Sequence, residues 1–324
     1  MKAIRVHQFG GPEVLQFQEV PIPKPGTGQI LIRVHCVGVN PVETYQRSGS
    51  NPALQFPWTP GTDAAGVVEA IGPGTGPDCV QVGERVYTSD TVTGAYAEWT
   101  VSEAEDVHRL SSKASFAQGA AINIPYATAY RALYQRAGAR AGEVVLIHGA
   151  SGGVGLAATQ LAHAAGLTII ATAGTPSGRK LVSEQGAHHV LDHRASGYLD
   201  EVLALTSNRG VDIILEMLAN VNLGKDLTLL ARHGRVIVIG SRGNVELTPR
   251  ELMKREADVR GLMLWNASPS EKAGIHAALA VGLVNGTLRP IVGREMSLAE
   301  AAQAHVAVLE PGAHGKIVLR LVND

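Results

Sequence analysis

The sequence predicts a mixed α/β protein in which a β-rich region precedes a doubly wound parallel sheet. Short strands separated by proline and glycine turns fill residues 1 to about 120. From Gly142 onward, short apolar strands alternate with helical segments around a glycine-rich turn, which is typical of parallel βαβ units. The chain has 324 residues, more than one ordinary core accommodates, so we expect two domains.

The β-rich region is predicted from runs of β-branched residues bounded by turn residues. Strands are expected at residues 30–37, 66–71 and 85–87. Residues 1–7 alternate apolar and polar side chains, which predicts another strand and not the apolar core of a signal peptide. A helical stretch begins near residue 115 and continues through residues 126–136.

The parallel sheet is predicted from five short apolar runs, at residues 144–147, 168–172, 189–191, 212–215 and 235–239. A helix is expected over residues 156–165, directly after the glycine-rich turn. The alternation stops near residue 262. Helices over residues 270–285 and 298–310 and a last strand over residues 316–321 are expected beyond it.

Composition and charge exclude several classes of protein. Hydrophobic residues make up 45% and charged residues 18%, which indicates a globular chain. A net charge of −1 gives no electrostatic footprint for nucleic acid or an anionic membrane. No run of about 20 apolar residues predicts a transmembrane helix. The cysteines, Cys36 and Cys79, are too few for a disulfide scaffold, so we expect reduced thiols and a cytoplasmic location.

The glycine-rich turn at residues 149–155 is the strongest local signal for ligand binding. Ala150, Gly152 and Gly155 fit the G-x-G-x-x-G register with Ala in the first place. Gly152 allows the backbone to approach a pyrophosphate, and Gly155 allows the helix to pack on the strand. Backbone N–H groups and the helix dipole at this helix start favour an anion. The turn therefore predicts a dinucleotide site.

A competing interpretation is a nucleophile elbow. Residues 149–153 also fit G-x-S-x-G, which would make Ser151 a hydrolase nucleophile with Asp212 and His233 following in the order of a triad. Gly155 has no role in an elbow, and the β-rich region ahead of the motif is not expected in a hydrolase. The dinucleotide interpretation is therefore favoured.

The residues after the second predicted strand indicate NADPH over NADH. An NAD site usually carries Asp or Glu about 20 residues after the glycines to bind the ribose 2′-OH. Residues 173–175 are Ala-Gly-Thr, with no carboxylate. A 2′-phosphate requires cations and hydroxyl donors with no acid beside it. The groups available downstream are Ser177, Arg179, Lys180 and His193.

Six segments resemble those of one known family. They are residues 38–45, 60–63, 124–133, 148–155, 216–223 and 240–243. Together they resemble the zinc-free, zeta-crystallin-like quinone oxidoreductase branch of the medium-chain dehydrogenase/reductase superfamily, and the resemblance runs from the first strand to the last. It implies a GroES-like catalytic domain over residues 1–122 and 264–324, a Rossmann domain over residues 123–263, a nicotinamide in the cleft between them, and a homodimer or homotetramer.

The resemblance also implies which residues bind NADPH. Tyr45 would lie beside the nicotinamide or pyrophosphate, and Gly174, Lys180 and His193 would surround the 2′-phosphate. The remaining implied cofactor-binding residues are Ser151, Gly152, Gly153, Val154, Asn222, Ile239, Gly240, Ser241, Arg242, Leu262, Met263 and Leu264.

No metal site is expected. Zinc enzymes of the superfamily carry cysteine and histidine ligands where this chain has Asn40 and Thr62. Neither cysteine has a close-spaced partner, and the segment between Val86 and Gly94 is too short for a structural zinc lobe. Without a Lewis acid, hydride transfer favours acceptors that delocalise the added electrons, such as quinones and conjugated enones.

Tyr45 and Asn40 are the candidate catalytic residues, because each is able to donate a hydrogen bond to a developing oxyanion. Asp63 is expected to be a turn or cap residue. The favoured hypothesis is an NADPH-dependent quinone oxidoreductase, and the alternatives are a reductase of conjugated enones or enoyl substrates and a catalytically weak NADPH- or RNA-binding protein. Nucleic acid is not the expected partner.

Overall fold

The computed structural model describes residues 1–76 and 80–321, so Cys79 lies outside the described residues. The chain forms two compact units. The first contains Met1–Ile124, Ala280–Glu310 and the segment that starts at Gly315. The second contains Pro125–Leu279 and Pro311–His314.

The strands of the described residues are numbered in chain order. They are β1 (Lys2–Arg5), β2 (Gln16–Glu19), β3 (Gln29–Val39), β4 (Ala64–Ile71), β5 (Arg85–Thr88), β6 (Trp99–Glu103), β7 (Val107–Arg109), β8 (Val144–Ile147), β9 (Thr168–Thr172), β10 (His189–Leu191), β11 (Val211–Glu216), β12 (Leu230–Val238), β13 (Asp258–Gly261), β14 (Val292–Ser297) and β15 (Lys316–Arg320).

The α-helices are α1 (Pro41–Arg47), α2 (Phe116–Gly119), α3 (Thr128–Tyr130), α4 (Gly153–Ala164), α5 (Pro176–Glu184), α6 (Tyr198–Leu205), α7 (Ala219–Leu229), α8 (Pro249–Arg255), α9 (Pro269–Asn285) and α10 (Ala301–Ala307). Turns of π-helix flank α3 at Asn123–Ala127 and Arg131–Arg136. Within the described ranges, no helix is long and apolar enough to cross a membrane.

The second unit is built on a six-stranded parallel sheet with the order β10-β9-β8-β11-β12-β13. This is the doubly wound order, in which the direction of winding reverses between β8 and β11. The predicted doubly wound sheet is confirmed. Its core consists of apolar side chains from the strands and from α7, among them Leu146, Ile170, Ile214, Leu227 and Val236.

The first unit is built on a seven-stranded, mostly antiparallel sheet with the order β14-β15-β3-β4-β5-β7 and with β6 on β3. Strand β3 is the longest of these and pairs with β4 along its length, with β6 near its start and with β15 near its end. The last strand of the chain thus completes a sheet that begins near residue 29. The core beneath it contains Val34, Val37, Tyr96, Met296 and Leu319.

Candidate functional site

The glycine turn connects β8 to α4 through a backbone that requires glycine at two points. Gly149 has a φ of +57°, in the left-handed region. A Cβ at Gly155 would overlap the backbone of Ala150. Gly152 is the N-cap of α4 in an extended conformation. The chain therefore turns sharply and the first turn of α4 lies directly on the end of β8.

The start of α4 is suited to an anion. The first N–H groups of a helix lack intrahelical partners, and the positive end of the helix dipole lies there. Gly153 and Val154 form this first turn and are partly accessible, whereas Ser151 is buried, with Gly178 of α5 close to its side chain. The local geometry is that of a phosphate-binding turn.

The elbow interpretation does not agree with the structure, because its three residues lie apart. Asp212 is near the start of β11, where it pairs with Arg209 and accepts from the backbone N–H of Val144, the first residue of β8. Ser151 follows the opposite end of β8. His233 is exposed and pairs with Glu256. These residues do not form a triad.

The end of β9 has the features predicted for a 2′-phosphate subsite. A Cβ at Gly174 would come within 2.8 Å of Arg194 Nε and 2.9 Å of His193 Cε1, so both side chains lie close against this glycine. The hydroxyl of Thr175 caps α5 by accepting from the backbone N–H of Gly178 at 3.0 Å. Basic and hydroxyl groups thus border a site without its own carboxylate.

The basic residues near this subsite differ in their availability. Arg179 is paired with Asp192 at 2.7 Å, which neutralises its charge locally. Lys180 is exposed and lies 3.9 Å from Glu184. The exposed Arg194 was missed in the sequence, although its position next to His193, directly after β10, was a usable signal.

The other residues predicted to bind the cofactor follow β11, β12 and β13. Asn222 lies in the second turn of α7, after β11. The backbone N–H groups of Ile239 and Gly240, after β12, bond to the carbonyl of Glu216. After β13, the N–H of Leu262 bonds to the carbonyl of Val238. The remaining predicted residues of these segments are Ser241, Arg242, Met263 and Leu264.

These segments share one edge of the sheet. All six strands are parallel, so the loops that follow them emerge at the same, carboxyl edge, where open α/β sheets bind ligands. The glycine turn follows β8, Gly174 follows β9 and His193 follows β10. The structure therefore brings the predicted residues of the second unit to one edge, and the individual contacts with a cofactor stay a prediction.

A buried polar cluster lies at this same edge. His148, directly before the glycine turn, bonds through Nε2 to Asp226 Oδ1 at 2.9 Å and lies 3.6 Å from Glu216 Oε2. Asn222 Nδ2 donates to Glu216 Oε1 at 3.2 Å. In the part of the chain that the structure describes, these three ionisable residues form a group able in principle to hold a metal ion.

The first unit contains a second buried cluster, centred on Asn40. The side-chain amide of Asn40 donates to Asp63 Oδ2 at 3.0 Å and to Glu43 Oε1 at 3.3 Å, and its oxygen accepts from the ammonium of Lys316. Asn123 Nδ2 donates to Asp63 Oδ1 at 2.9 Å. The amide of Asn40 is therefore engaged at both ends, which favours a positioning role over donation to a substrate. Its catalytic role stays a prediction.

Glu43 ends a hydrogen-bonded chain in the same unit. Arg47 Nη1 lies 3.2 Å from His305 Nδ1, and His305 Nε2 lies 3.2 Å from the hydroxyl of Tyr96, which donates to Glu43 Oε2 at 2.7 Å. Burial lowers the pKa of His305 to about 3, so the imidazole is neutral and donates through Nε2. Burial raises the pKa of Glu43 to about 7, although Asn40 and Lys316 oppose the shift.

Tyr45 lies on α1, half-buried, one helical turn before Ser48. Its backbone carbonyl accepts from the N–H of Ser50 at 2.9 Å, which closes the turn after α1. The predicted role of Tyr45 stays a prediction.

Two family models match the chain. Residues 26–112 match the alcohol dehydrogenase GroES-like domain, and residues 153–279 match the zinc-binding dehydrogenase domain. A quinone oxidoreductase of Homo sapiens is 49% identical over 326 residues, which cover 99% of this chain and 98% of the human protein. The chain belongs to the quinone oxidoreductase branch of the medium-chain dehydrogenase/reductase superfamily. The predicted family and fold class, a GroES-like domain with a Rossmann domain, are confirmed.

Other members of the family are similar over the whole chain. A quinone oxidoreductase of Pseudomonas aeruginosa is 30% identical, with 98% of this chain and 99% of that protein covered. The solved structure of Escherichia coli quinone oxidoreductase complexed with NADPH has a TM-score of 0.87 at 27% identity, over 98% of this chain and 100% of that one. A mycobacterial protein complexed with NADPH has a TM-score of 0.91 at 30% identity, over 99% and 100%.

Proposed function

We propose that this protein is an NADPH-dependent quinone oxidoreductase. The observation that carries the proposal is the carboxyl edge of the parallel sheet, where a phosphate-binding turn, a basic subsite without a carboxylate and the segments after β11, β12 and β13 lie together. Membership of the quinone oxidoreductase branch, at 49% identity to the human relative, supports the choice of acceptor.

The preference for NADPH rests on charge. A 2′-phosphate carries close to two negative charges at neutral pH and pairs with cations. His193 and Arg194 lie against Gly174, and the carboxylate of Asp192, next to His193 in the sequence, is paired with Arg179. NADH would leave the guanidinium of Arg194 without this phosphate partner. The relatives that were solved with NADPH agree with this preference.

The side chains at the zinc-ligand positions of the superfamily support zinc independence. Asn40 offers an amide and Thr62 a hydroxyl, neither of which is among the usual thiolate, imidazole and carboxylate ligands of zinc. The ammonium of Lys316 donates to Asn40 and lies 3.2 Å from Asp63 Oδ2. A fixed positive charge at this point repels a second cation. These residues do not fit a zinc ion.

The chemistry follows from what the residues are able to do. NADPH supplies a hydride when bound. The chain binds the phosphates at the start of α4 and orients the cofactor along the sheet edge. Hydride donor and acceptor are then held in the geometry for transfer instead of meeting by diffusion. A quinone accepts the hydride without a Lewis acid because its oxygens take up the charge. Tyr45 is the proposed donor to that oxygen, and Asn40, whose amide is engaged at both ends, is proposed as a positioning residue.

One comparison of acceptors tests the proposal. NADPH and NADH are offered with ortho- and para-quinones, conjugated enones, enals and simple alcohols, each with and without a chelator. We expect NADPH consumption with quinones and no effect of the chelator. Faster turnover of an enone would assign the protein to the alternative reductase class. Cofactor binding without turnover, together with salt-dependent RNA affinity, would favour the binding-protein alternative. No NADPH binding in calorimetry would contradict the proposal.

Partners and organisation are part of the same proposal. We propose a homodimer or homotetramer that associates through β13, one of the two edge strands of the parallel sheet, where Val259 is exposed. A cytoplasmic location and a domain division after residues 122 and 263 belong to the proposal as well. The net charge of −1 supports a small-molecule partner over nucleic acid.

A further inference from the structure

The buried cluster of His148, Glu216 and Asp226 connects the glycine turn to α7. His148 is the residue before Gly149, and its backbone N–H bonds to the carbonyl of Leu215 in β11. Asp226 lies one helical turn beyond Asn222, so both side chains lie on the same face of α7. Through Asp226 and Asn222, α7 is therefore bonded both to His148 and to Glu216.

The charges of this cluster do not balance if both carboxyl groups are ionised. Glu216 and Asp226 are fully buried, and one imidazolium neutralises only one carboxylate. Glu216 Oε2 and Asp226 Oδ2 are buried atoms without a hydrogen-bond partner. Two carboxyl groups that share a site retain one proton between them, because a second unpaired negative charge in the interior is costly.

The protonation of each group agrees with this distribution. Burial and the neighbouring Asp226 raise the pKa of Glu216 to about 7, although His148 opposes the shift. Burial lowers the pKa of His148, but its hydrogen bond to Asp226 and the charges of Asp226 and Glu216 outweigh burial and leave the pKa raised. Both directions favour a proton shared within the cluster close to neutral pH.

The bonds to Glu216 also locate the proton. Glu216 Oε1 accepts from the backbone N–H of Leu218 and from Asn222 Nδ2. This oxygen is occupied by donors, so the proton belongs on the other oxygen, Oε2, which faces the cluster. Protonation of Glu216 thus preserves the bond to Asn222 and removes one negative charge close to the glycine turn.

We propose that His148, Glu216 and Asp226 are positioning residues for the cofactor, and that the proton retained by their carboxyl groups makes NADPH affinity depend on pH. The inference rests on the proposed function of the same site. Loss of the proton leaves a second buried negative charge beside a turn that binds an anion. Affinity for NADPH is therefore highest with the proton present and falls as pH rises through neutrality.

Other titratable groups that face the cluster come from two further segments. Burial lowers the pKa of His193, which follows β10, and the charge of His148 lowers it further. Burial raises the pKa of Tyr198, which lies in α6, and the charges of Asp226 and Glu216 raise it further. His193 also belongs to the predicted 2′-phosphate subsite, so its contribution has to be separated by experiment.

The geometry favours a shared proton over a metal ion. The 2.9 Å between His148 Nε2 and Asp226 Oδ1 is a hydrogen-bond distance. Two ligands of one tetrahedral zinc ion stand about 3.3 Å apart, given metal–ligand distances of roughly 2.0–2.1 Å. A metal ion is nevertheless an outcome that the experiment has to identify.

The test measures the dissociation constant of NADPH at pH 6.5 and pH 8.5 for the wild type, Glu216→Gln and Glu216→Ala. The wild type is expected to bind about five- to tenfold more weakly at pH 8.5, the size expected for one partly screened charge. Glu216→Gln mimics the protonated group and should bind equally well at both values. Glu216→Ala loses the acceptor for Asn222 and should bind weakly at both. An unchanged pH ratio in Glu216→Gln would overturn the proposal, as would a chelator effect on the wild-type constants.

Two further variants complete the design. Asp226→Asn removes the second carboxyl group and should abolish the same pH ratio, which keeps the proposal testable if Glu216→Gln does not fold. His193→Gln should keep the wild-type ratio, and loss of the ratio there would assign the effect to the 2′-phosphate subsite and overturn the proposal.

Thermal melting of the protein without cofactor separates this inference from the proposed function. Because the pKa of Glu216 is raised on folding, its contribution to stability is lost as pH rises from about 4.5 to about 7. The melting temperature should fall over this range less in Glu216→Gln than in the wild type. Identical profiles would overturn the shared proton even if NADPH binds. Absent NADPH binding with different profiles would overturn the proposed function and the effect on affinity, but it would leave the shared proton in place.

Discussion

The ammonium group of Lys316 lies 3.2 Å from Asp63 Oδ2, and both side chains are buried in the first unit. Lys316 is the first residue of the last strand, whereas Asp63 directly precedes β4. This buried ion pair, together with the bond from Lys316 to Asn40, joins the end of the chain to the polar cluster of the first unit.

Replacement of Lys316 should strongly destabilise the protein. Lys316→Met leaves Asp63 as an unpaired buried carboxylate, and such losses cost about 3–5 kcal/mol. Denaturant unfolding of Lys316→Met against the wild type measures the difference. Lys272→Met, at an exposed lysine of α9, is the matched control and should change stability by less than about 0.5 kcal/mol. A loss below about 1 kcal/mol for Lys316→Met would show that the ion pair contributes little to the free energy of unfolding.

Glu43 should make the stability of the protein fall with rising pH. Its carboxyl group titrates at 4.5 when unfolded and at about 7 when folded, so the folded state binds the proton more tightly between these values. The shift corresponds to about 3 kcal/mol, lost as pH rises through this window. In Glu43→Gln, the decline in free energy of unfolding between pH 5 and pH 8 should be smaller. The slope of unfolding free energy against pH is the readout. The amide introduced at position 43 faces the amide of Asn40, and any loss of stability from that contact is the same at every pH. Equal slopes would contradict the raised pKa.

Gly155→Ala should damage both folding and cofactor binding. The new methyl group would overlap the backbone of Ala150, which cannot move without displacing the glycine turn. We expect a loss of about 1–3 kcal/mol in unfolding free energy and weaker NADPH binding, measured by denaturation and calorimetry. Gly274→Ala in α9 is the control, since nothing lies within 4 Å of its Cβ position. If Gly155→Ala had wild-type stability and affinity, close packing against Ala150 would not be the reason for glycine at this position.

The basic residues after β9 and β10 should discriminate between NADPH and NADH. Lys180→Ala and Arg194→Ala each remove one positive charge, and each should weaken NADPH binding by up to about tenfold, or about 1.4 kcal/mol, with a smaller effect on NADH. We expect the larger effect for Arg194, because its guanidinium lies against Gly174 whereas Lys180 is exposed near Glu184. Equal weakening of both cofactors by one variant would remove that residue from the 2′-phosphate subsite.

Ser151 should not react as a nucleophile. Its side chain is buried beside α5, and the acid and the histidine that a triad needs are paired elsewhere, Asp212 with Arg209 and His233 with Glu256. Incubation with a fluorophosphonate, followed by mass spectrometry of the peptide, should detect no adduct at Ser151. A serine hydrolase in the same reaction serves as the positive control. Covalent modification of Ser151 would refute the dinucleotide assignment.

Local sequence pattern predicted the centre of the parallel sheet well. Strands β8 and β9 begin and end at the predicted residues, because buried parallel strands are short apolar runs bounded by turns, and the edge strand β10 also has the predicted bounds. The edge strands β13 and β14 were not predicted. Their sequences, Asp-Val-Arg-Gly and Val-Gly-Arg-Glu-Met-Ser, contain the charged and polar residues with which proteins protect exposed sheet edges, so the apolar signal is weak.

In the candidate site, features within one short segment were predictable, whereas features that join distant residues were not. The glycine turn and the missing carboxylate near Gly174 lie within short segments, and both were recognised in the sequence. The two buried clusters were not, because their members are distant along the chain. Lys316 and Asn40 are 276 positions apart, and His148 and Asp226 are 78 apart. Asn40 was predicted as a donor to substrate because no local pattern showed that its amide is bonded at both ends.

The pairing of β15 with β3 has a consequence for the order in which the protein folds during synthesis. The strands of the parallel sheet, β8 to β13, leave the ribosome as a continuous stretch, so that sheet is able to form before translation ends. The first unit has to hold β3 without its neighbour until β15 emerges, since Ile317 pairs with Val39 across more than two hundred intervening residues. During that interval an apolar strand edge lacks its native neighbour and the carboxylate of Asp63 lacks its ion-pair partner Lys316, so the nascent first unit presents an edge that is able to pair with other chains.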